Sequence, residues 1–158
     1  MNGFRLRPRG SEGQSLVEFA LVLPIIVLLV VGVFDVGVAV YRYNTVSESA
    51  RQANRMAIVN QTVPDVQAVG VAYAPALGLA PGDIEVCFHT SDALTSDCTG
   101  GSSCDPPAMG CLAYVTVTTT YNPFTPVIGN IIGPIDLSAT SVGPIEYACP
   151  NTANPTCQ

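Results

Sequence analysis

Residues 19–40 read FALVLPIIVLLVVGVFDVGVAV, an apolar run broken by a single charge, Asp35. As a helix, its 22 residues extend about 33 Å, enough to cross a hydrocarbon core of about 30 Å. The leader before it, MNGFRLRPRGSEG, carries Arg5, Arg7 and Arg9 against Glu12. Basic residues on the short side of a span hold that side in the cytoplasm. Residues 1–13 therefore read as a basic leader, 14–40 as a transmembrane helix of a single-pass cell-membrane protein, and 41–158 as an extracytoplasmic domain, in the periplasm or at the cell surface. Glu18 and Asp35 stand roughly 26 Å apart along a helix, a spacing that would suit the two membrane interfaces; that reading is taken for Asp35 but not for Glu18, because of the residues that precede it. Asp35 is expected at its interface in water or among headgroups.

Composition agrees with a membrane-held chain. The 158 residues suffice for one modest domain, and only 11% are charged, against roughly 25% in a soluble globular protein. A disordered, highly charged chain is excluded. The six basic residues are all Arg, and none lies beyond Arg55. Eight acids do: Asp65, Asp83, Glu85, Asp92, Asp97, Asp105, Asp136 and Glu146. Such a domain does not grip a phosphate backbone, so no nucleic-acid partner is expected. The six cysteines, Cys87, Cys98, Cys104, Cys111, Cys149 and Cys157, all fall downstream of the apolar run. An even count on one side of a span points to disulfides in an oxidising compartment. Six cysteines allow fifteen pairings, of which Cys87–Cys111, Cys98–Cys104 and Cys149–Cys157 is the one taken as the working expectation. No C-x-x-C pair is present and His89 is the sole histidine, so no metal site is expected. Asp92, Asp97 and Asp105 do not have the spacing of an EF-hand loop.

Beyond the span, no Gly or Pro interrupts residues 39–61, and the helix is expected to continue. Val46, Ala50, Ala53 and Ala57 follow one helical face as a stripe of small side chains, either solvated or a packing surface for a sheet or a neighbouring helix. Thr62, with Asp65 three residues on, resembles a cap for a second helix over about 65–74, with Pro64 breaking the first. The period then changes to two. Ile84, Val86 and Phe88 alternate with Glu85, Cys87 and His89, and His89 is expected to be partly exposed. Residues 112–121, LAYVTVTTTY, form a second strand and residues 135–142 a weaker third. The segment 121–134, with three Pro and two Gly, reads as a connecting loop. The fold class is α+β: a long N-terminal helix, a second short helix and a small antiparallel sheet of three to four strands packed on residues 41–61. Enzymatic signatures are missing. There is no lysine, no nucleophile paired with His89 and no Gly-rich phosphate loop. No catalytic residue and no cofactor are expected.

The segment Gly13-Gln14-Ser15-Leu16-Val17-Glu18-Phe19 resembles the processing site of type IV prepilins, in which Gly ends a basic leader and Glu stands fifth after it. The longer run SLVEFALVLP over residues 15–24, followed by the Ala-Arg-rich ARQANRMA over 50–57, is similar to the TadE-like family, pilin-related minor subunits of tight-adherence pilus systems. The similarity covers roughly residues 13–59. A looser likeness to the C-terminal parts of some members lies in Tyr121-Asn122-Pro123-Phe124-Thr125-Pro126 and the later Leu137-Ser138-Ala139-Thr140.

The resemblance implies a pilin-like fold. It also implies cleavage after Gly13 by a prepilin peptidase, and a new amino group at Gln14 to pair with Glu18 of a neighbouring helix. Pro24 matches a recurring position and should kink the helix or loosen a turn. The function implied is that of a minor pilin or pseudopilin acting in assembly or at the tip of the pilus. Its partners would be the bilayer, the peptidase, other pilus or pseudopilin subunits and the assembly platform. The alternative is a single-pass anchored binding domain that does not assemble into a pilus. A signal peptide cut after Ala39 fits less well, because the apolar run exceeds the 7–15 residues of an ordinary h-region.

Overall fold

The computed structural model describes residues 12–90, 98 and 103–147. Its first element, α1, runs unbroken from Glu12 to Ala57, roughly 69 Å at 1.5 Å per residue. The two ends of this helix have different surroundings. Every residue from 13 to 30 is exposed, although the segment is almost wholly apolar. From Val46 onward, Val46, Ala50, Ala53 and Ala57 are all buried and belong to the hydrophobic core. One helix thus provides a bare apolar rod and the spine of a folded domain.

The second helix, α2 (Val63–Tyr73), folds back against α1. Thr62 occupies its N-cap position, but the Thr62 side chain makes no capping hydrogen bond. Asn60 organises the turn instead. Its amide donates to Asp65 Oδ2 at 3.0 Å and its Oδ1 accepts from Thr62 N at 2.9 Å. Pro64 lies within the first turn of α2, where a missing N–H costs nothing. The two helices approach closely at Gly70, whose carbonyl accepts from Ser49 Oγ at 2.7 Å.

Three strands follow: β1 (Ile84–Thr90), β2 (Cys111–Tyr121) and β3 (Ile135–Pro144). They form an antiparallel sheet in the order β1-β2-β3. The architecture is α+β. The inner face of β2, with Ala113, Val115 and Val117 fully buried, packs with Ile84 onto the α1 stripe. Toward its C-terminal end the other face of β2 is polar. Thr116 pairs with Thr140 at 2.9 Å, Thr118 with Ser138 at 3.5 Å and Thr120 with Asp136 at 2.8 Å. Alternation of this kind marks a sheet with one dry face and one wet face.

Asn54 pins the sheet to the spine. With its amide oriented to satisfy both neighbours, it donates to Ala113 O and accepts from Gly143 N, each at 3.1 Å. These two residues are partners in the β2–β3 register. The end of the described chain is tied back as well: Glu146 N donates to Ile58 O at 3.1 Å, and Gln61 donates to Tyr147 O at 2.8 Å.

Three sequence expectations need correction. Residues 121–134 are not loop throughout, because a third helix, α3, spans Pro126–Ile132. Pro126 opens it at a position where proline is pre-set for helix. His89 is buried, at 4% exposure, with its ring edge-on to Tyr114 and the centroids 5.4 Å apart. The pairing of cysteines also differs. Cys87 is joined to Cys98 and Cys104 to Cys111. The register sets Cys87 opposite Tyr114 and Cys111 opposite Thr90. Cys87 and Cys111 therefore lie three rungs apart, about 10 Å, and on opposite faces of the sheet, beyond the reach of a disulfide. Cys149 and Cys157 lie outside the described residues.

Candidate functional site: the apolar rod and its junction with the domain

The rod begins with Gly13, Gln14 and Glu18, all exposed on α1. Gln14 Nε2 donates to Glu18 Oε1 at 3.2 Å, one helical turn away. Nothing lies within 4 Å of where a Gly13 Cβ would be, so this glycine is not required by packing. The leader residues 1–11, with the three arginines, lie outside the described residues. Pro24 sits inside α1, and its lack of an N–H leaves the Ala20 carbonyl without the usual helical donor. Among the described residues, α1 is the one helix long and apolar enough to cross a membrane.

The rod ends at Asp35. This residue is not in water: its exposure is 4%, and it is gripped by the turn between β2 and α3. Phe124 N donates to Oδ1 at 3.1 Å and Thr125 N to Oδ2 at 3.2 Å. The Thr125 hydroxyl also donates to Oδ2. The Tyr121 hydroxyl points at the Asp35 carbonyl at 3.3 Å and at its carboxylate at 3.5 Å. A carboxylate accepting several N–H and O–H donors has its desolvation offset by charge-assisted hydrogen bonds. Thr125 stands at the N-cap of α3 without capping it; its hydroxyl is committed to Asp35 instead.

Tyr121 completes the cluster. The Arg42 guanidinium, two turns after Asp35 on α1, lies 5.3 Å from the centre of its ring, in cation–π range. Burial raises the Tyr121 phenol above its ordinary pKa, and the Asp35 charge adds to this while Arg42 opposes it.

Below the clamp, α3 lies alongside the rod. Ile128 comes within 3.6 Å of the position a Cβ would take on Gly32. An apolar cleft of about 510 Å³ runs between them, lined by Leu29, Val33, Val36 and Ile132 among others. Sequence reading missed this junction. The signals were a lone Asp inside an apolar run, which demands partners, and Thr125-Pro126, a helix-start pair. The small-residue stripe lies elsewhere, inside the domain core.

Residues 13–55 match the family described as TadE-like protein. The chain carries a TadE-like N-terminal segment. That segment covers the rod, the Asp35 clamp residue and most of the packing stripe. The sheet lies beyond the TadE-like match. No curated protein and no solved structure matches the chain.

Proposed function

We propose that this protein is a membrane-anchored minor pilin or pseudopilin of a tight-adherence pilus system. The observation that carries the reading is the TadE-like match over residues 13–55, because it takes in the whole bare apolar rod and nearly all of the rest of α1. Gly13 and Glu18 stand at prepilin spacing at its start. In this reading the peptidase cuts after Gly13. The rod first anchors the subunit and later packs among the helices of other subunits, with Glu18 matching a neighbour's new amino terminus. The domain beyond Asp35 lies outside the cytoplasm, as the basic leader favours. The clamp at Asp35 narrows the span to residues 16–34, about 28 Å of helix, which still suits a bilayer.

Intact mass of the protein from cells carrying the prepilin peptidase tests this. Loss of residues 1–13 is expected, and Gly13→Ala or Glu18→Ala should abolish it. A full-length N-terminus in such cells, with the chain still in the membrane, would falsify the pilin reading in favour of an anchored binding domain that does not assemble.

A further inference from the structure

The turn that clamps Asp35 leads straight into an apolar surface that the domain does not cover. Phe124 is 82% exposed, Ile131 79% and Ile132 61%. Its own segment carries no charge: residues 122–135 read NPFTPVIGNIIGPI. Large uncovered apolar side chains in a contiguous patch mark a contact surface. The position of this one identifies the contact. Ile128 rests at Gly32 and the adjoining cleft reaches Leu29, six residues of α1 before Asp35, or about 9 Å deeper along the helix axis. The exposed face of α3 is thus continuous with the exposed apolar surface of the rod, which includes Val33 and Val36.

We propose that α3 and the turn before it form a second membrane contact. They lie in the leaflet at the Asp35 end of the span, with Phe124, Ile131 and Ile132 among the upper acyl chains. Interfacial helices bury their apolar face about 5–10 Å into the headgroup and acyl boundary, the same range as the stretch of α1 below Asp35 along which the cleft runs. The Asp35 clamp fixes that depth, because it ties the start of α3 to one level of the rod. The domain is then seated on the bilayer by two points, the rod and α3, so its tilt is set as well as its attachment. This inference rests on the reading of α1 as a membrane span, and the experiment separates the two.

The chain has no tryptophan, so one introduced residue is a unique fluorophore. Phe124→Trp, Ile131→Trp, Leu28→Trp and Tyr73→Trp are each made in the full chain. They are reconstituted at low protein density into phosphatidylcholine vesicles containing lipids brominated either near the glycerol or deep in the chain. All four positions are exposed, so folding is not burdened. Phe124→Trp and Ile131→Trp should emit at short wavelength and lose most of their intensity to the shallow bromines. Leu28→Trp should respond most to the deep bromines, and Tyr73→Trp to neither. If Phe124→Trp and Ile131→Trp behave like Tyr73→Trp while Leu28→Trp is quenched, the span stands and the second contact is overturned, leaving α3 free for a protein partner. If Leu28→Trp is also unquenched, the span reading fails and the second contact falls with it.

Discussion

The carboxylate of Asp35 accepts the main-chain N–H and the hydroxyl of Thr125, ninety positions further along the chain. This pair joins the apolar rod to the last third of the domain. It turns an apparent defect in an apolar helix into the anchoring point of the fold.

Removing that carboxylate should be costly. Asp35→Ala leaves the N–H groups of Phe124 and Thr125 without their acceptor in a part-buried site. A loss on the order of 3 kcal/mol is expected, with Asp35→Asn milder because one oxygen remains. Urea unfolding of the detergent-solubilised chain gives the magnitude. Proteolytic cleavage within residues 122–134 should rise in step.

A methyl group at Gly70 should crowd the contact of α2 with α1 and β1. A Cβ there would lie 2.5 Å from Ile84 Cδ1, 3.3 Å from Ala53 Cβ and 3.4 Å from Ser49 Oγ. Gly70→Ala is expected to destabilise by about 1–3 kcal/mol. Gly82→Ala, where nothing lies within 4 Å, is the matched control and should be close to neutral. A drop in both would point to a general effect of the alanine rather than to helix packing.

The disulfides can be mapped by digestion without reduction. Peptides linking Cys87 to Cys98 and Cys104 to Cys111 are expected. Recovery of a Cys87–Cys111 peptide would contradict the strand register. Each bridge closes a short loop and should contribute about 2.5–3 kcal/mol through the unfolded chain, so reduction should lower the unfolding midpoint measurably.

Alkaline pH should loosen the clamp. The Tyr121 phenol is raised in the folded state, first by burial and then by Asp35. A group with a raised folded pKa favours its protonated form. Its contribution is therefore intact below the ordinary phenol value of about 10 and is lost as pH rises through the folded value. Unfolding midpoints compared at pH 8 and pH 11 should fall more for the wild type than for Tyr121→Phe. Equal falls would place the alkaline sensitivity on another tyrosine.

Local pattern made much of this legible. A run of residues with no place for water announces a rod, and period-two alternation at Ile84, Val86 and Phe88 announces a strand. The stripe Val46, Ala50, Ala53 and Ala57 is visible from spacing alone, though not what covers it. The helix at Pro126–Ile132 was hidden because it is short and holds a glycine and its flanks hold prolines and glycine, so punctuation outweighed periodicity. His89 looked half-exposed because alternation sorts residues into two faces without saying what lies over the outer one.

Sequence by itself determined the elements whose cause is local: the apolar rod, the α+β order and the TadE-like segment. Tertiary structure alone decided which distant groups meet. Asp35 finds Thr125, Asn54 bridges Ala113 and Gly143, and Cys87 reaches Cys98 instead of Cys111. The reason is physical: hydrophobic periodicity is read over a few neighbouring residues, whereas hydrogen-bond satisfaction of a buried group is settled only when the whole chain has chosen its register.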